Sequence, residues 1–315
     1  MSGNQALNTN AGVSSHADLE ITQHGSDWLY TVCSLMGASS LLFFLLSLRP
    51  KPHHHRLLHH ILAGVTLVSC IAYFTMGSNL GQTPIAVEWT RPFSNAVFAA
   101  GTREIFYVRF IDWFVTMPLL LLALFLAGGA PLATILTSTF ATWVMVVCFL
   151  VGALVRTRYK WGYWTFGTVS LFFVAWQVLW TGRKHAAALG SPPLYRMYLS
   201  AAGLLLVPWT LYPVAWGLAE GGNVIHPDSE AVFYGALDIV SKIGFGAVLL
   251  IMSHNNVGPD VISAHGISPY QQKGGVAGQP MAAQAGPRGV VDEYANGSNL
   301  SSGSTAARRG GGEEV

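Results

Sequence analysis

Long apolar stretches, separated by short segments rich in polar residues, Gly and Pro, occupy most of the chain. Seven of them are about as long as the 20 or so residues that an α-helix needs to cross the hydrocarbon core of a bilayer. They run roughly from Trp28 to Leu48, Leu58 to Asn79, Ile105 to Ala127, Pro131 to Val155, Trp161 to Trp180, Tyr195 to Leu218 and Ala231 to Ser253. The pattern therefore predicts an all-α fold, a bundle of seven transmembrane helices.

The composition agrees with an integral, multi-pass membrane protein. Of the 315 residues, 51% are hydrophobic and only 10% are charged, whereas roughly a quarter of the residues in a soluble domain are charged. A net charge of +2, with no basic block interleaved with aromatic residues, argues against nucleic-acid binding. We expect the lipid bilayer as the surroundings of the chain and the plasma membrane as its location.

Loop charges favour an extracellular N-terminus and a cytoplasmic C-terminus. In that orientation six Lys and Arg residues lie in the inner loops against five on the outer side, the direction of the positive-inside rule. The predicted organisation is a polar extracellular segment over 1–25, the helical domain over 26–254, and a cytoplasmic tail over 255–315. The tail is rich in Gly, Ala, Ser and Gln, a composition that cannot bury a core, so we expect it to be disordered.

Charged side chains occur inside the predicted helices, where they are costly. Lys242 is near the middle of the last stretch, and a bare ammonium group there costs about 2.5 to 3.5 kcal/mol or more. Asp238 precedes it by one turn and can pair with it, while Arg109, Asp112 and Thr116 share one face of the third helix. We expect the four charged residues to meet in one buried quartet. Either the lysine is part of a packing ion pair, or its amine is a covalent anchor.

Aromatic residues recur on the sixth stretch, where Trp209, Tyr212 and Trp216 surround Pro213 at helical spacing. Trp113 follows Asp112 directly. A stripe of this kind is more often helix packing than a cofactor wall. Beside a buried set of charges, however, it favours a flat pocket for a conjugated ligand.

The histidine-rich stretch KPHHHRLLHH at 51–60 is predicted to be the first inner loop. Imidazole groups bind zinc or copper, but no carboxylate at helical spacing supports a metal site here. We therefore interpret the stretch as a solvated loop at the membrane surface and expect no bound metal.

These residues resemble the microbial rhodopsins. The resemblance rests on RFIDWFVTMPLLLL at 109–122, on the aromatic and proline pattern at 209–216 and on LDIVSKIGFG at 237–246, and it runs through all seven stretches. The phrases IAYFTMGSNLG at 71–81 and KWGYWTFG at 160–167 are similar to the fungal branch. The chain is thus identified as a member of the bacteriorhodopsin-like family, and the resemblance implies a photoactive protein and not an enzyme.

The resemblance implies all-trans retinal bound as a Schiff base to Lys242. It implies further that Asp112 is the primary counterion and proton acceptor, with Thr116 beside it, and that Asp238 is the second counterion. Arg109 would lie on the outward side, and Glu220 and Glu230 would form the outer pair that releases a proton. The residues expected around the cofactor are Trp113, Trp209, Trp216, Tyr212, Pro213 and Met145.

One position departs from the proton pumps of this family. They carry a carboxylate eleven residues after the counterion, three turns towards the cytoplasm, where this chain has Ala123. Reprotonation must then use water entering from the inside, so we expect slow recovery that slows further as the pH rises. A neutral residue at the position of Asp112 would be needed for chloride transport, which is therefore less favoured.

Two functions stay open on the sequence. The first is a slow light-driven outward proton pump, working with protons and internal waters. The second is a sensory photoreceptor with a slow photocycle and little net transport, which the absent donor and the long inner tail favour. A homo-oligomer and a cytoplasmic signalling partner also stay open.

Overall fold

Long helices form most of the protein in a computed structural model, which describes residues 5–10, 13, 16–49, 53–91 and 101–256. The helices are α1 Gln5–Asn10, α2 Gln23–Ser47, α3 His53–Gly77, α4 Tyr107–Ala127, α5 Leu132–Leu154, α6 Lys160–Trp176, α7 Arg183–Ala188, α8 Pro192–Trp216, α9 Pro227–Asp238 and α10 Phe245–Asn256. The predicted tail lies outside the described residues beyond residue 256.

Three π-helical segments lengthen these helices. Gln177–Gly182 joins α6 to α7, Gly217–Gly221 extends α8, and Ile239–Gly244 joins α9 to α10. Within the described ranges, six helices are long and apolar enough to cross a membrane. The continuous helix formed by α6, Gln177–Gly182 and α7 contains the predicted fifth span, but it is not one of these six. Several membrane-spanning helices are thus present, in the predicted order along the chain.

Two helices begin earlier than predicted because polar residues cap their N-termini. The first span was expected to begin at Trp28, but α2 begins at Gln23, because the hydroxyl of Thr22 accepts a hydrogen bond from the His24 amide and satisfies one of the free N–H groups of the first turn. Ser191 caps α8 in the same way, accepting from the Leu194 amide. These polar caps lie outside the apolar stretches and are invisible to hydropathy.

The third span begins later than predicted because residues 102–105 form a strand. Strands β1 Thr83–Ala86 and β2 Thr102–Ile105 pair antiparallel, with Thr83 opposite Ile105. Leu19 adds a parallel bridge on the free side of β2, and Leu19 and Ile21 are buried. Within the predicted polar segment over 1–25, Leu19 and Ile21 therefore pack onto the hairpin.

From residue 53 onwards, the histidine-rich stretch is not a loop. Helix α3 begins at His53, so the described residues of this stretch are helical. His59 is buried, and the His60 Nε2 atom lies 3.1 Å from the Ser47 hydroxyl. The described residues contain no group of three or more His, Cys, Asp or Glu that could hold a metal.

The bundle is apolar outside and charged inside. Helices that follow one another along the chain pack together from α2 to α6, and α8 and α9 complete the bundle through contacts with α10 and α2. Leu41, Phe140 and Ile251 are more than 60% exposed, whereas Arg109, Asp112 and Lys242 are buried. Such an arrangement suits a bilayer, where apolar side chains face lipid and charged groups pair inside.

Candidate functional site

Lys242 lies at the centre of a buried ion cluster. It is only 1% exposed, and the π-helical segment Ile239–Gly244 that carries it is a type often found at functional sites. Its Nζ atom donates to a carboxylate oxygen of Asp112 and, over 3.1 Å, to Asp238. The predicted pairing of Asp238 and Lys242 is present, and these three residues are called the lysine cluster below.

Asp112 is held from α3 as well. Its other carboxylate oxygen accepts a 2.8 Å hydrogen bond from the Ser69 hydroxyl. The Thr116 hydroxyl is buried one turn further along α4, as its spacing predicts, but it donates to the backbone carbonyl of Asp112 and not to the carboxylate. Asp112 therefore has one side-chain hydroxyl donor in addition to the ammonium group.

Asp238 is held more firmly, by two phenols. Tyr73 from α3 donates over 2.7 Å to one carboxylate oxygen, and Tyr212 from α8 donates to the other. Sequence reasoning placed Tyr212 near the site but missed Tyr73 and Ser69, since an uncharged polar residue in an apolar helix gives little signal. Their i, i+4 spacing puts both on one face of α3, which is the one clue that the sequence offers.

Arg109 does not join the predicted quartet. Its guanidinium donates to Glu230 and, more weakly at 3.4 Å, to Glu220, and it lies 4.2 Å from the centre of the Tyr234 ring. It sits almost one turn before Asp112 on α4, on the side of the β-hairpin, and its long side chain reaches the carboxylates there. The prediction of one cluster of four charges is therefore wrong.

A second cluster forms around these carboxylates near the hairpin. Glu220 and Glu230, the outer pair that the resemblance implies, lie just outside the predicted apolar stretches, yet both are at most 4% exposed. Arg103 of β2 donates over 2.6 Å to Glu230, and Tyr234 donates over 3.0 Å to Glu220. Arg103, Arg109, Glu220 and Glu230 are called the outer cluster, in which two guanidinium groups face two carboxyl groups.

Glu104, next to Arg103 on β2, is a further buried carboxyl group. One oxygen accepts a 2.8 Å hydrogen bond from the Ile21 amide, while the other has no partner. Burial, only partly offset by this bond, raises the pKa of Glu104 to about 8. A group of this kind is mainly protonated at neutral pH.

The aromatic residues predicted to surround a ligand are buried. Trp113, Trp209 and Trp216 are each 1% exposed, and Tyr212 and Met145 are at most 3% exposed. The rings of Trp113 and Tyr212 have centres 4.6 Å apart, which ties Trp113 to the lysine cluster.

Other members of this predicted set make different contacts. Trp216 donates to the Phe149 carbonyl and packs edge-on against Trp161. The Pro213 carbonyl accepts from the Trp164 indole. The indole nitrogens of Trp113 and Trp209 and the Ser138 hydroxyl are buried without a partner. Unpaired polar groups beside apolar walls are a setting in which a ligand could supply the missing contacts.

Ala123 is fully buried in α4. It lies eleven residues beyond Asp112 on the side away from the hairpin, about 16 Å along the helix axis. Among the described residues the buried carboxylates are Glu104, Asp112, Glu220, Glu230 and Asp238. Each of these contacts Lys242 or lies at or near the hairpin, so this part of the structure has no buried carboxylate at the level of Ala123.

Known proteins share both the sequence and the fold. The family model described as "Bacteriorhodopsin-like protein" matches residues 24–256. The opsin-like protein carO of Fusarium fujikuroi is 49% identical over 258 residues, which are 81% of this chain and 82% of that protein.

Two light-driven proton pumps of known structure have similar folds. The pump LR (Mac) from Leptosphaeria maculans is 32% identical with a TM-score of 0.69, over 75% of this chain and 98% of that one. The Coccomyxa subellipsoidea rhodopsin CsR is 31% identical with a TM-score of 0.68, over 74% and 98%. From its helices, its buried ion clusters and these similarities, the chain belongs to the bacteriorhodopsin-like family of microbial rhodopsins, with fungal opsins among its relatives.

Proposed function

We propose that this protein is a light-driven outward proton pump that carries retinal on Lys242. The observation that carries the proposal is the fully buried Nζ atom of Lys242 between two carboxylates. The family and the pump structures imply a retinal chromophore. The coupling of light to proton transfer in this chain is our inference.

The residues present fit retinal. Lys242 supplies a primary amine that can condense with an aldehyde, and Asp112 and Asp238 balance a positive charge on the resulting nitrogen. The buried indole rings of Trp113 and Trp209 supply flat apolar walls for a polyene. When bound, retinal absorbs visible light and changes its shape, which alters the direction in which the Lys242 nitrogen points its proton.

Asp112 is the proton acceptor in this proposal, because the two carboxylates are held unequally. Two phenols stabilise the ionised form of Asp238, whereas Asp112 has one serine hydroxyl besides the nitrogen. Hydrogen bonds to a carboxylate favour its charged form. A proton leaving the Lys242 nitrogen is therefore accepted more readily by Asp112 than by Asp238.

The outer cluster continues the path towards the outside. Arg109 reaches from α4 to Glu220 and Glu230, and it starts almost one turn from Asp112. When Asp112 becomes neutral, it no longer attracts the guanidinium group of Arg109. Arg109 then interacts more strongly with Glu220 and Glu230, which stabilises their ionised forms and promotes loss of a proton there.

Return of the proton to the Lys242 nitrogen is slow in our proposal. Ala123 offers no acid group, and the described residues place no buried carboxylate at that level. Water must bring the proton from the inside, so the rate falls as the proton concentration falls. The pump is therefore slow and slows further with rising pH.

The alternative function is a sensory photoreceptor with a slow photocycle. Ala123 favours it too, because a long-lived deprotonated form is suited to signalling. Both functions use the same early proton transfer, so net transport distinguishes them.

Illumination of cells that express the chain, with a record of the external pH, tests the proposal. Acidification that a protonophore abolishes would support the pump, and a visible photocycle without a pH change would support the sensor. Lys242→Ala should lose the visible absorption. A Lys242→Ala protein that still binds retinal covalently would contradict the assignment of the anchor.

A further inference from the structure

Arg103 is the fully buried member of the outer cluster that lies on the hairpin. It lies on β2 and is 1% exposed. Besides Glu230, its guanidinium donates over 2.8 Å to the Asn223 side chain and over 2.7 Å to the Ile225 carbonyl. Arg103 thus connects the hairpin to the loop between α8 and α9 and to the outer cluster.

Glu230 receives a guanidinium on each carboxylate oxygen. Arg103 donates to Oε2 over 2.6 Å, and Arg109 donates to Oε1. Charge-assisted hydrogen bonds of this kind are about twice as strong as neutral ones. A proton on Glu230 would weaken both of them.

Glu220 is held much less strongly. Its contact with Arg109 is long, at 3.4 Å, and its closer partner is the neutral hydroxyl of Tyr234. Lys160 is nearby, but its Nζ atom donates to the backbone carbonyl of Glu220 and not to the carboxylate. A proton on Glu220 would therefore cost one weak ionic contact, and the remaining oxygen could still accept from Tyr234.

We propose that Arg103 is a positioning residue that keeps Glu230 ionised and thereby makes Glu220 the carboxyl group that holds the outgoing proton. The two guanidinium groups are shared unequally between the two buried carboxyl groups. A proton therefore binds to Glu220, whose ionised form is less stabilised. The release step rests on the proposed pump, whereas the division of charge between the two acids does not.

The strand pairing of the hairpin places Arg103 where it can contact Glu230. Arg103 stands opposite Ile85 in the strand pairing, and its contacts hold the loop in which Asn223 adopts a positive φ of 49°. Arg103 therefore has a structural contact to the loop and an ionic contact to Glu230. The two can be separated by substitution.

Infrared difference spectroscopy on the retinal-bound protein tests the charge assignment. We expect the C=O band of the buried acid that loses its proton after illumination to vanish in Glu220→Gln and to persist in Glu230→Gln. In Arg103→Gln a band that depends on Glu230 should appear, and Arg103→Lys should largely restore the original pattern. Loss of the band in Glu230→Gln but not in Glu220→Gln would overturn the proposal.

Asn223→Gly is the matched control. It removes the side-chain contacts to Arg103 and to the Trp89 carbonyl, leaves every charge in place and suits the positive φ. It should keep the infrared pattern of the unsubstituted protein. If Asn223→Gly changed the pattern as much as Arg103→Gln does, Arg103 would act only through the loop and the proposal would be wrong.

Proton release, followed with a pH-sensitive dye after a flash, tests the consequence. We expect release in Arg103→Gln to be delayed roughly tenfold, the effect of about 1.4 kcal/mol on a rate, with little delay in Asn223→Gly. Equal release times in the two variants would contradict the role of Arg103 in release. If the infrared pattern holds but no variant, including the unsubstituted protein, moves protons across a membrane, the pump fails while the charge assignment stands.

Discussion

Glu104 makes the stability of the hairpin end of the bundle depend on pH. Its carboxyl group is 1% exposed, accepts one hydrogen bond from the Ile21 amide, and has a second oxygen with no partner. The pKa of Glu104 is raised by burial to about 8, from a reference of 4.5. The folded protein thus binds a proton that the unfolded chain has already lost at neutral pH.

The sign of the effect follows from that difference. A group that holds its proton more tightly in the folded state stabilises the fold most below its unfolded pKa, and it loses this contribution as the pH rises to the folded value. The interval from 4.5 to about 8 spans roughly 3.5 pH units, at about 1.4 kcal/mol each. We therefore expect the free energy of unfolding to fall by about 5 kcal/mol across this interval and then to level off.

Glu104→Gln removes this dependence while keeping an acceptor for the Ile21 amide. The measurement is the midpoint of unfolding from pH 5 to pH 9, with the difference between the two proteins isolating Glu104 from all other titrating groups. Because opening of the segment around Ile21 can expose Glu104 alone, hydrogen exchange at the Ile21 amide gives a local readout. If both proteins show the same pH profile by both methods, the reasoning is refuted.

Three further predictions concern the proton path and the stability of the lysine cluster. Asp112→Asn should keep visible absorption but lose light-driven acidification, whereas Asp112→Glu should retain part of the acidification. If Asp112→Asn still acidified the medium, Asp112 would not be the proton acceptor. Ala123→Asp should speed decay of the deprotonated form at least about tenfold, as expected for a positioned proton donor, while Ala123→Asn should not. If flash photolysis gave the same decay rate for both variants, the absence of a donor at this position would not explain slow recovery. Tyr73→Phe should destabilise the protein by about 1.5 to 3 kcal/mol, the contribution of a hydrogen bond to a charged group. If its unfolding midpoint were the same as that of Tyr30→Phe, this prediction would be wrong.

Local sequence determined the long helices of this protein. Each apolar stretch predicts its own helix, because a segment in lipid must satisfy its backbone hydrogen bonds internally. The pairing of Asp238 with Lys242 could also be predicted, since four residues bring two side chains together on one helix whatever surrounds it. The same reasoning put Arg109, Asp112 and Thr116 on one buried face.

Only the tertiary structure decided which charges meet. Arg109 was expected beside Lys242, but Glu220 and Glu230 come within its reach from α8 and α9, more than 100 residues away along the chain. Ser69 and Tyr73 carry no charge to mark them, and Arg103 sits on a strand of four residues that a hydropathy pattern does not show. The lysine could be found from its cost in an apolar helix, whereas its partners, and the split into two clusters, depend on how separate helices pack.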